Sequence, residues 1–115
     1  MKMILLVTLL AFAAGVLTAA DLSGTWTADV VLDAGSGTAT FVFKQSGETL
    51  TGTYEGTFGK ANVTGTVKGD KVEWSFDADQ VGKCSYTGTL QGDSAAKGTV
   101  VYGAVGSGTF TAKRK

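Results

Sequence analysis

Five aromatic side chains carry most of the chemistry open to this chain: Tyr54, Tyr86 and Tyr102, with Trp26 and Trp74. A phenol or an indole offers a flat apolar face for stacking and one hydrogen-bonding group at its edge. That combination suits recognition of a small ring rather than its conversion. The chain has no histidine, which excludes Ser–His and Cys–His nucleophile pairs and zinc sites built on imidazole, and one cysteine cannot replace them. Carboxylates, lysines or tyrosines would have to act alone. Glu55 and Glu73 stand singly on an outward face, unlike a paired acid and base. Asp77 and Asp79 in "FDADQ" have a D-x-D spacing without the other ligands of a calcium loop, and no G-x-G-x-x-G joins a strand to a helix. The chain is therefore expected to be no enzyme, with no cofactor and no metal. Cys84, lacking a second cysteine, reads as a small inward hydrophobe.

The elements that position these rings are strands. "GT" recurs in "SGTW", "SGTA", "TGTYEGTF", "TGTV", "TGTL", "KGTV" and "SGTF", separated by the turn signals "DAGSG", "QSGE", "GKAN", "KGDK", "QGDS" and "YGAVGSG". No segment carries apolar residues at helical spacing. The pattern predicts eight strands, over 24–32, 38–44, 49–58, 62–68, 71–77, 83–90, 95–102 and 106–113. All connections are short, so neighbours in sequence are expected to be neighbours in space. Alternation puts Trp26, Phe41, Phe43, Leu50, Tyr54, Val72, Trp74, Phe76, Cys84, Tyr86, Val100, Tyr102 and Phe110 on one face, and threonine, serine and charge on the other. An open sheet of this size leaves two edges free for other chains, and the chain has no proline to blunt them. The expected fold is all-β, a closed or nearly closed eight-stranded antiparallel up-and-down barrel, in preference to a two-sheet sandwich.

Within such a barrel the strand glycines Gly52, Gly56, Gly65, Gly88, Gly98 and Gly108 share the apolar face. They are expected to let the strands coil sharply and to leave room for rings reaching across the lumen. Taking the start of the first strand as the bottom, antiparallel order puts Trp26, Phe43, Leu50, Val67, Val72, Leu90 and Ala112 in a dry plug. Tyr54, Trp74, Tyr86 and Phe110 form the middle, and Leu32, Phe58, Phe76, Cys84 and Tyr102 the upper end. Tyr54, Trp74, Tyr86 and Tyr102 are the candidate ligand-binding residues, because buried hydroxyl and indole groups need partners. Two arrangements satisfy them: a ligand or water in an open upper cavity, or Tyr54 and Tyr102 reaching the rim while Trp74 bonds a carbonyl at a bulge. An eight-stranded barrel encloses a space filled by side chains or by one small ligand. A structural or interaction barrel with a solid core is the alternative function.

Residues 1–20 belong to a different physical class. "MK" is followed by the uncharged run "MILLVTLLAFAAGV" and by small residues, with Thr18 and Ala20 before Asp21. That layout is expected of a signal peptide; the apolar run is short for a membrane anchor. The expected mature domain is 21–115, secreted or periplasmic in a bacterium, with no stable membrane insertion. Removing Lys2 leaves nine basic residues against ten acidic, or −1. Such a charge steers no nucleic acid. The expected partner is a small hydrophobic ligand, and the oligomeric state is open.

"SGTWTADV", with Gly24 and Trp26, resembles the G-x-W signature of the calycin superfamily of lipocalins and avidins. The resemblance implies a Trp at the closed end of the barrel covered by a basic residue of the last strand, here Arg114. "LTGTY" at 50–54 and "VEWSF" at 72–76 look like avidin strands bearing a ligand-binding Tyr and a stacking Trp, matched by Tyr54 and Trp74. Where that pattern has a polar ligand contact two residues after the first Trp, this chain has Ala28, and no Trp follows Trp74. The "GTW … LTGT … YTGT … GTF" layout is also similar to that of small secreted bacterial proteins of unassigned function.

Overall fold

The structure, a computed structural model, describes residues 21–115; the expected signal peptide lies outside the described residues. Eight strands follow one another: β1 (Gly24–Leu32), β2 (Gly35–Ser46), β3 (Thr49–Gly56), β4 (Gly59–Lys68), β5 (Lys71–Ala78), β6 (Gly82–Gln91), β7 (Ala95–Tyr102) and β8 (Gly106–Arg114). Each pairs antiparallel with the next, and β8 returns to β1, so the sheet closes into a barrel in sequence order. The seam runs from Trp26↔Arg114 to Leu32↔Gly108. Local opening occurs between β4 and β5, whose pairing stops at Thr64↔Ser75 although both strands continue upward.

Several strand ends differ from expectation, and glycine is the reason. β2 begins at Gly35 rather than 38, and β4 at Gly59 rather than 62. Each of these glycines has positive φ, 145° and 100°, and closes a tight turn from which the strand continues at once. A glycine cluster alone reads as turn, so the strand hidden behind it is missed. Conversely, β3 ends at Gly56, which leaves Phe58 in the turn.

The inward face matches the alternation. Trp26, Phe41, Leu50, Tyr54, Val63, Val100 and Phe110 are all buried, and no charged side chain is buried among the described residues. Alanines fill the tightest inward positions, with Ala28, Ala39, Ala96 and Ala112 almost wholly buried. Leu22, before β1, was outside the expected core yet seals the bottom: its carbonyl accepts the Trp26 indole N–H at 3.0 Å, and its own N–H donates to Gln45 Oε1 at 2.8 Å.

The inward glycines serve both expected purposes, at different positions. A Cβ at Gly108 would lie 1.8 Å from the Val31 carbonyl oxygen, across the closing seam. Gly52, Gly65 and Gly98 meet neighbouring-strand carbonyls in the same way, at 1.9, 2.1 and 2.0 Å. These are coiling points, where the adjacent backbone occupies the space of a side chain. Gly56 instead makes room for a ring: its Cβ would sit 2.7 Å from the Tyr54 hydroxyl.

At the closed end the Arg114 guanidinium lies 4.9 Å from the centroid of the Trp26 ring. It also donates to the carbonyls of Ser23 (2.7 Å), Asp21 (2.6 Å) and Asp93 (2.9 Å). One side chain thus ties the segment before β1, the β6–β7 turn and the barrel seam together. Arg114→Ala is expected to destabilise the fold by about 2–3 kcal/mol, combining a cation–π contact with charge-assisted hydrogen bonds. Arg114→Lys should recover less than half, because an ammonium cannot fork to several carbonyls while lying flat on indole. Urea unfolding of the two variants checks both values.

Candidate functional site

The barrel interior is graded from dry to open. At the bottom, Leu22, Trp26, Phe43, Trp74, Leu90 and Ala96 enclose no space that could hold a water. The middle is a continuous aromatic stack. Trp74 lies parallel to Tyr86 (centroids 5.1 Å, 17°), with its edges toward Phe43 at 5.0 Å and Phe110 at 5.5 Å. Tyr54 stacks on Phe76 at 4.1 Å and 16°. Offset and edge-to-face pairs of this kind add about 0.5–1.5 kcal/mol each beyond burial.

Above this stack is a cavity of about 180 Å³. Tyr54 and Tyr102 form its base, Val30, Leu32 and Val105 its apolar wall, and Phe58 its edge. Ser36, Thr38 and Thr57 supply rim hydroxyls, and no Asp, Glu, Lys or Arg lines it. The position follows from the hairpins. β2 pairs with β3 only from Ala39↔Gly56 onward, so the tip of the β1–β2 hairpin stands above β3 and forms one wall.

The four candidate ligand-binding residues thus separate into two pairs. Tyr54 and Tyr102 face the cavity; Trp74 and Tyr86 lie one layer deeper, 3% and 1% exposed, and do not line it. Trp74 has no carbonyl partner at a bulge: its Nε1 is buried without a hydrogen bond. Tyr54 and Tyr102 do not reach solvent at the rim either, being 1% and 3% exposed. Instead the hydroxyls find internal partners. Tyr86 and Tyr102 share a short hydrogen bond, and the Phe58 N–H donates to the Tyr54 oxygen at 3.3 Å. Burial pushes the pKa of all three phenols above the ordinary value, because the charged form would be desolvated. Burial likewise pushes the Cys84 thiol up to about 11, which leaves it unreactive as a nucleophile near neutral pH.

The other sequence candidates stay apart. Glu55 and its neighbour Lys60 form an exposed ion pair at 3.9 Å on the outer face. Asp77 and Asp79 belong to no group of three His, Cys, Asp or Glu side chains able to hold a metal ion among the described residues. The sequence left out Val30, Ser36, Thr38 and Val105 as site residues. Val105 sits in "YGAVGSG" and Ser36 in "DAGSG", both of which signal turns; an apolar residue inside such a turn was the only hint.

No protein-family model matches the sequence, and no curated protein matches it. Among solved structures, the chain is similar to a redesigned β-barrel, mFAP1, bound to DFHBI. The TM-score is 0.56 at 17% sequence identity, and the match covers 82% of this chain and 94% of that one. At that identity the likeness concerns the fold, and the resemblance to calycins stands at the level of barrel architecture: a closed antiparallel barrel of eight strands.

Proposed function

We propose that this protein is a secreted, non-enzymatic barrel that binds one small aromatic or apolar molecule at its upper end. The observation that carries the reading is the 180 Å³ cavity resting on Tyr54 and Tyr102, above the packed rings of the middle of the barrel. Its size suits a single ring, since cavities of about 150 Å³ bind benzene, and it falls short of drug-sized pockets of about 300 Å³ or more. The similar barrel mFAP1 was solved with DFHBI bound, which supports the reading by fold analogy only. Secretion rests on the expected leader, and the absence of catalysis on the lack of histidine and of converging carboxylates.

Toluene is the simplest probe. Calorimetric titration is expected to give one site per chain. Val30→Phe, which places a ring in the cavity from its wall, should weaken toluene binding at least tenfold without loss of thermal stability. Unchanged affinity in that variant, or no binding to the wild type, would leave the solid-core reading in possession. The dry bottom and the packed Trp74–Tyr86 layer are what favour that second reading.

A further inference from the structure

We infer that the upper cavity selects uncharged rings carrying a hydrogen-bond acceptor, through the hydroxyl proton of Tyr54. The inference rests on the reading of the cavity as a ligand site and adds the chemical class of the ligand.

It follows from counting protons along the buried hydroxyls. Each phenol has one proton and two lone pairs. Tyr86 is 1% exposed, does not line the cavity, and has Tyr102 as its hydroxyl partner. If Tyr102 donated in that bond, the Tyr86 proton would be stranded in the dry core at a cost of about 1–3 kcal/mol. Tyr86 is therefore the donor. The Tyr102 proton is then free to turn outward toward Tyr54, its neighbour in the cavity lining. The Tyr54 oxygen already accepts the Phe58 N–H. The relay accordingly has a direction, from the core toward the mouth, and it ends on the Tyr54 proton. No acceptor for that proton is found among the described residues, although Tyr54 is 1% exposed. Tyr54 lines the cavity, so the unmatched donor is available to whatever fills it. The charge of the ligand follows from the same lining: with no ionised group present, a carboxylate or ammonium would lose its hydration without a counter-charge.

Acetophenone and α-methylstyrene test this, because they share a shape and differ in C=O against C=CH₂. Their intrinsic affinities differ through hydrophobicity, so the informative quantity is the ratio of their Kd values between proteins. Tyr54→Phe should shift the ratio against the ketone by about 5- to 10-fold, the worth of one neutral hydrogen bond. Thr109→Ala, on the exposed outer face away from the cavity, should leave it unchanged, and benzoate should not bind the wild type. In the wild type the carbonyl stretch of bound acetophenone should lie at lower wavenumber than in hexane, a readout that needs no variant to fold. A ratio unmoved by Tyr54→Phe, a stretch at the hexane position, or benzoate binding as well as acetophenone would overturn the inference while the cavity reading stood. Failure of both neutral rings to bind would overturn the two together.

Discussion

Gly108→Ala is expected to unfold the barrel or to destabilise it by more than about 3 kcal/mol. Overpacking a core commonly costs about 1–3 kcal/mol when side chains can shift. Here the new methyl would meet backbone: the Val31 carbonyl oxygen at 1.8 Å and the Leu32 Cα at 2.8 Å. Relief requires β1 to move away from β8, and Gly108↔Leu32 is the last pair of the strands that close the sheet. The substitution therefore opens the barrel at its seam and exposes two strand edges that nothing else covers. Thr109→Ala provides the comparison, one residue along the same strand but on the exposed outer face; its effect should stay within about 0.5 kcal/mol. Denaturant unfolding of the pair measures both. Equal stability of Gly108→Ala and wild type would show that β1 and β8 do not lie as close as described.

The second large effect is a collapse of stability in alkali. The phenols of Tyr54, Tyr86 and Tyr102 have their pKa raised above 10.0 chiefly by burial, and the Cys84 thiol is raised from 9.0 to about 11 for the same reason. A raised value means that the folded chain keeps protons which the unfolded chain has released. Stability from these groups is thus fully present below about pH 9 and is lost as the pH rises. Each group that deprotonates only on unfolding contributes a slope of about 1.4 kcal/mol per pH unit. The thiol contribution grows between pH 9 and 11 and then levels, while the phenols add theirs from pH 10 upward. Where two or three of these groups are engaged together the loss is about 3–4 kcal/mol per pH unit, enough to consume the stability of a small domain within two or three units. Between pH 5 and 8 no histidine is present to titrate. The urea midpoint should therefore be flat through neutrality and fall steeply above pH 10, with tyrosinate absorbance appearing only as the chain unfolds. Tyrosinate that forms on a still-folded chain would show that the hydroxyls are reached by solvent.

These two effects arise from features of different legibility. Parity was readable: Trp26, Tyr54, Trp74, Tyr86 and Tyr102 alternate with threonine and charge, and a side-chain period of two leaves no other face for them. The inward glycines were readable for the same reason. Closure followed from the lack of any device to protect an edge. The cavity was readable only in part. Height could be assigned, so Tyr102, Phe58 and Leu32 were expected at the upper end, and they are there. What separates Tyr54 and Tyr102 from Trp74 and Tyr86 is how far the β1–β2 hairpin stands above β3, which depends on the stagger between strands rather than on any one strand's pattern. The hydroxyl relay was equally hidden: Tyr86 and Tyr102 face one another because β6 and β7 pair in a particular register, with Cys84 opposite Tyr102 and Tyr86 opposite Val100. Leu22 was missed because it precedes the first strand and so lies outside any alternation.

Amide chemical-shift mapping of the protein with toluene tests the central claim most directly. A ring seated at the upper end should move the signals of Leu32, Ser36, Thr38, Phe58, Tyr102 and Val105, and leave those of Leu22, Leu90 and Ala96 in place. Shifts confined to the outer threonine face, or none at saturating toluene, would contradict it.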